Sequence, residues 1–93
     1  MLDKKIFANG QQVYDLHDDV LTYYYKSGEL KARGRFAKNK KEGEWKYYRA
    51  NGHMWKTGEY KNGKKHGQWQ RFSPDGQVEY DALYENGKLI KKF

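Results

Sequence analysis

The chain has 93 residues, a formal charge of +7 and no cysteine, with 17% aromatic and 33% charged residues. That length suits one domain, and the lack of thiols excludes a disulfide-stapled scaffold and thiolate zinc sites. Nine Tyr, four Phe and three Trp outnumber the eleven Leu, Ile and Val, so rings must supply most of the buried area, about 150–250 Å² each, which fits a single sheet better than an aliphatic sandwich.

In chain order, residues 1–22 come first, with a net charge of −2. They hold no apolar run long enough for a signal peptide, and nothing in the chain approaches a membrane span; a soluble, cytoplasmic protein is expected. Asn9-Gly10 reads as a hairpin turn, and Gly10–Asp15 echoes Gly76–Asp81, so 1–22 reads as a degenerate, strand-forming cap on a repeat array. Asp15, His17, Asp18 and Asp19 form its one acidic-histidine cluster, read as solvated rather than as a metal site.

From residue 23 onward the chain repeats every 24 residues. Tyr24, Tyr48 and Phe72 fall in step, as do Gly28, Gly52 and Gly76, then Gly34, Gly58 and Ala82, then Trp45, Trp69 and Phe93. Three repeats follow, at about 24–47, 48–71 and 72–93. A fixed period marks units that bury their apolar face only by stacking on neighbours. Turn signals at 26–28, 50–52 and 74–76 alternate with connections at 38–43, 61–67 and 85–88, giving two strands per repeat.

Even positions of the second strand, such as Met54, Lys56, Gly58 and Tyr60, read as a covered face; odd ones, such as Lys31, Arg33, Arg35 and Trp55, read as a wet face. A four-residue turn over 49–52 pairs Tyr48 with His53, Tyr47 with Met54, Trp45 with Lys56 and Gly43 with Gly58. Gly34 and Gly58 are expected to lie under a neighbouring ring, which covers the bare backbone.

The stretches YYKSGELKARGRF, EWKYYRANGHMWKTGEYKNGKKHGQW and FSPDGQVEYDALYENGK resemble the MORN repeat, in the variant of bacterial YwqK-type antitoxin proteins. The resemblance implies an all-β fold: a single-layer antiparallel meander of stacked hairpins. It also implies an interaction scaffold, some relatives being linked to acidic lipids, and an antitoxin role.

The basic charge is concentrated in residues 23–72, which carry a net +10, and such a block attracts an acidic partner. Lys38, Lys40 and Lys41 are placed on one loop and Lys61, Lys64 and Lys65 on the next, with Lys88 on the third. Trp55, Tyr48, Lys46, Arg33 and Arg35 are placed together on the wet face, the make-up of a protein-binding hot spot and of a base-stacking platform. No nucleophile with a base, phosphate-cradling loop, metal site or cofactor is read from the sequence. The expectation is a non-catalytic module that neutralises an acidic partner protein by direct binding, as a small inhibitor, antitoxin or immunity-type protein of bacterial or phage origin. The alternative is electrostatic binding of nucleic acid or anionic lipid; homodimerisation by edge strand or face packing stays open.

Overall fold

A computed structural model of the chain describes residues 6–93; residues 1–5 of the expected cap lie outside the described residues. Eight strands form one antiparallel sheet in sequential order: β1 (Tyr14–His17), β2 (Val20–Tyr24), β3 (Leu30–Ala37), β4 (Lys40–Tyr48), β5 (Met54–Lys61), β6 (Lys64–Phe72), β7 (Val78–Glu85) and β8 (Lys88–Lys92). The single-layer antiparallel meander that the resemblance implies is therefore the fold.

Two kinds of turn alternate along it. At one edge, Arg49 N donates to His53 O at 2.8 Å and Gly52 N to Arg49 O at 2.9 Å, and Tyr25–Glu29 and Ser73–Gln77 are built alike. The same pair of bonds closes Phe7–Gln11, so the N-terminal segment shares the repeats' turn although its strands are shorter. At the other edge lie two-residue turns at Asp18-Asp19, Lys38-Asn39, Asn62-Gly63 and Asn86-Gly87, with positive φ at both positions of each. These mirror-image turns follow the natural twist of a hairpin, and Asn, Asp and Gly adopt them at least cost.

This second set of turns corrects the placement of six lysines. The connections are shorter than expected, so Lys61 closes β5, Lys40, Lys64 and Lys88 open β4, β6 and β8, and Lys41 and Lys65 are strand residues rather than loop residues, leaving Lys38 in a turn. The register across the 49–53 turn also differs from expectation. The turn closes one residue later, pairing Tyr48 with Met54, and Trp55 is then extra, so Tyr47 faces Lys56, Trp45 faces Gly58 and Gly43 faces Tyr60. One residue of the shift comes from the turn and one from the bulge.

Bulges recur with the period. Lys31, Trp55 and Glu79 are each the unpaired residue after the first type of turn. A second irregularity breaks the ladder between Gly34 and Arg35, where Gly43 and Glu44 are extra on β4. Gly43 there has φ 65° and its counterpart Gly67 φ 72°, a left-handed conformation that glycine enters without strain. Bulges bend a strand and raise its twist.

The core is made of rings laid over glycine. A Cβ on Gly34 would stand 2.3 Å from the Trp45 ring, and one on Gly58 2.1 Å from Trp69. Each indole N–H then donates at 2.9 Å to the carbonyl just beyond its glycine, Trp45 to Arg35 and Trp69 to Glu59. Trp45 and Leu21 are fully buried, with Tyr14 and Ala32 beside them. In the last repeat Ala82 replaces the glycine and Phe93 is 65% exposed, so this ring-on-backbone contact is absent there.

Gly34→Val and Gly58→Val are each expected to cost about 1–3 kcal/mol, as overpacking does, although valine is the better strand former. Urea unfolding measures this, and a double-mutant cycle of Gly58→Val with Trp69→Ala should show a large coupling. Additive effects in that cycle would refute the ring-over-backbone account.

Candidate functional site

One face of the sheet carries the aromatic rings. Tyr14, Tyr23, Trp45, Tyr47, Tyr60 and Trp69 form a chain of contacts with centroids 5.0–6.4 Å apart. Lysines lie over them. Lys41 Nζ sits 5.0 Å from the Trp45 centroid and 5.2 Å from that of Tyr60, and Lys65 Nζ sits 5.0 Å from both Trp69 and Tyr84. Lys56 Nζ lies 4.8 Å over Tyr47 and 4.6 Å over Trp55. Ammonium groups over ring faces are attracted by the ring quadrupole, while the stems shield the rings from water.

Trp55 therefore shares the aromatic face, not the wet one. Its place in the bulge explains the correction, because an unpaired residue resets the alternation that assigned it. It is also partly buried. The residues expected to accompany it lie on the opposite face: Arg33, Arg35, Lys46 and Tyr48 line a shallow groove of about 360 Å³ with Val20 and Glu44. Arg33 and Lys46 are direct cross-strand partners, a like-charge pair that costs stability unless something compensates it. Lys38, Lys40, Lys61 and Lys64 are exposed at the edge of the two-residue turns, and Lys61 faces Lys64. Glu42 tempers that edge, its carboxylate accepting from Asn62 N at 3.0–3.1 Å.

Lys56 and Arg71 were not among the residues picked out from the sequence. They are cross-strand partners on β5 and β6. Comparison of the repeats holds the signal: Tyr47 faces Lys56, whereas the positions 24 residues later hold Arg71 facing Tyr80. Ring and cation have exchanged strands, and the exchange sets two cations side by side. Among the described residues His17 stands 3.2 Å from Asp18, and no group of three or more metal-ligating side chains converges.

Burial shapes the chemistry of the aromatic face. Desolvation first, and then the Lys56 ammonium, lowers Lys41 below the ordinary 10.5. Desolvation, then Lys65 and Arg71, lowers Lys56 in the same way. Tyr47 moves oppositely: burial, followed by its 2.8 Å hydrogen bond with the Tyr60 hydroxyl, holds it neutral well above the ordinary 10.0. For a lysine lowered on folding, the unfolded chain binds more protons between the folded value and 10.5, so its contribution to stability rises with pH there. For Tyr47 the folded chain keeps its proton above 10.0 while the unfolded chain loses it, so stability falls. The urea midpoint is expected to drop between about pH 10 and 12, less steeply in Tyr47→Phe. An unchanged slope in that variant would count against Tyr47 as the source.

Residues 41–62 and 65–86 match the MORN repeat variant, while no curated protein and no solved structure matches the chain. The matched units start at Lys41 and at Lys65, the two lysines seated over the tryptophans, and each spans a hairpin, β4–β5 and β6–β7.

Proposed function

We propose that this chain is a non-catalytic, cytoplasmic binding module that neutralises an acidic partner protein by occupying it, in the manner of an inhibitor, antitoxin or immunity protein. One observation carries the reading. Residues 23–72 hold fourteen Lys and Arg, and among the described residues only Arg49 and Arg71 of that block come within ion-pair distance of a carboxylate, both at Glu79. Charge that is not neutralised internally is available to a partner and steers its approach. The groove of Arg33, Arg35, Lys46 and Tyr48 is the proposed docking patch, because a carboxylate there would relieve the Arg33–Lys46 repulsion. Tyr48 supplies the kind of aromatic anchor that interfaces favour.

The alternative partner is nucleic acid, and salt separates the two. A tagged chain is used to capture its partner from the native host, and the purified pair is titrated at low and moderate salt. A protein complex that persists from about 50 to 200 mM salt, and that Arg33→Glu or Lys46→Glu weakens about tenfold or more, supports the proposal. Co-purifying nucleic acid, with affinity falling about a thousandfold or more over that range, would overturn it, as would a complex indifferent to both substitutions.

A further inference from the structure

The exchange of ring and cation between repeats leaves a hollow on the aromatic face. It has a volume of about 280 Å³ and is formed across β5, β6 and β7. Lys56, Lys65 and Arg71 supply its charge, Trp55, Tyr80 and Tyr84 its walls, and buried Trp69 its floor. No carboxylate is among its lining residues. Arg71 has one acidic neighbour, Glu79, at 3.7 Å from Nε, and Lys56 and Lys65 have none within ion-pair distance among the described residues.

Three cations close enough to perturb one another are unfavourable without an anion between them. Lys56 and Arg71 are direct cross-strand partners, where like charges destabilise a sheet, and the protonation of Lys56 is disfavoured by Lys65 and Arg71 after desolvation. Trp55 is partly buried and stands in a bulge at the rim, leaving indole surface for a planar guest. Arginine adds a fork that fits an oxyanion at two points. Four aromatic side chains beside convergent Lys56, Lys65, Arg71 and Gln70 combine the apolar surface and the few polar groups that a small-molecule site uses.

We propose that this hollow binds a planar organic anion, an aromatic or heteroaromatic body packed against Trp55 and Tyr80 with its oxyanion held by Lys56, Lys65 and Arg71. The site is formed by this chain alone and lies on the face opposite the Arg33–Lys46 groove. It therefore stands or falls apart from the partner-protein reading.

Adenosine monophosphate and indoleacetate serve as probes, one carrying phosphate and the other carboxylate, with adenosine and indoleacetamide as their neutral counterparts. Two-dimensional amide NMR of the isotope-labelled full chain is the readout, the Trp55 indole N–H being assigned by its loss in Trp55→Phe. The expected result is a saturable shift of the Trp55 signal with at least one anion, while Trp45, which does not line the hollow, stays still. Binding of the nucleotide alone supports a phosphate-bearing guest, and binding of indoleacetate alone a carboxylate-bearing one. Lys56→Gln and Arg71→Gln, each with the dispersed amide spectrum of the folded sheet, should weaken binding about tenfold, and Lys46→Gln should leave it unchanged. The proposal is overturned if neither anion shifts Trp55, if the neutral counterparts shift it equally, or if folded Lys56→Gln and Arg71→Gln bind as wild type does.

Discussion

An indole laid flat on the bare backbone of the next strand is the contact on which the rest of this fold depends. A single-layer sheet has no second layer to cover its apolar face, so that face must be closed by its own side chains. Removing the Cβ at Gly34 and Gly58 lowers the floor enough for Trp45 and Trp69 to lie down, and the broken ladder beyond each glycine frees a carbonyl for the indole N–H. The glycines, the bulges and the tryptophans are thus one device. Add a Cβ at either glycine and the indole above it must shift.

With the tryptophans lying flat, the surface above them has to exclude water without a neighbouring layer, and lysine meets that need. Its methylene stem covers the ring, and its ammonium, partly desolvated at Lys41, adds a cation–π attraction of about 0.5–2 kcal/mol. Lys41 and Lys65 do this at equivalent positions of successive repeats. The feature that closes the core therefore also lines the face with positive charge. Stability and charge display cannot be assigned to separate residues here, because the same lysines serve both.

How much of this was legible in the sequence follows from what a period can and cannot carry. Turn signals between the in-step glycines and rings give two strands per repeat, the resemblance implies their sequential order, and Gly34 and Gly58 announce a close approach because glycine is otherwise a poor strand residue. Parity is another matter. Alternation assigns faces only while each residue has a partner, and one bulge at Trp55 moved that side chain from the wet face to the aromatic one. The lysine placements failed for a related reason: runs such as Asn39-Lys40-Lys41 look like loop, yet a two-residue turn is all the chain needs there. The hot spot read as one patch is accordingly two, Arg33, Arg35, Lys46 and Tyr48 on one side and Trp55 with Lys56 and Arg71 on the other.

Where the repeats depart from one another is more telling than where they agree. Among the described residues three pairs of cations face each other across strands, Arg33 with Lys46, Lys56 with Arg71 and Lys61 with Lys64, and each breaks a rule of sheet pairing. The middle pair is the most instructive, because neither neighbouring unit contains its equivalent. One unit pairs Tyr47 with Lys56 and the next pairs Arg71 with Tyr80, so each is a satisfied cation and ring taken alone. The strain arises only where the units meet, at the seam between β5 and β6. A sheet stabilised only by its own packing would gain by repeating one arrangement or the other. A pairing that costs stability at a seam, beside a recess lined by rings, is the kind of local inconsistency that proteins concentrate at functional sites, and here it lies between the hairpins β4–β5 and β6–β7 rather than within either.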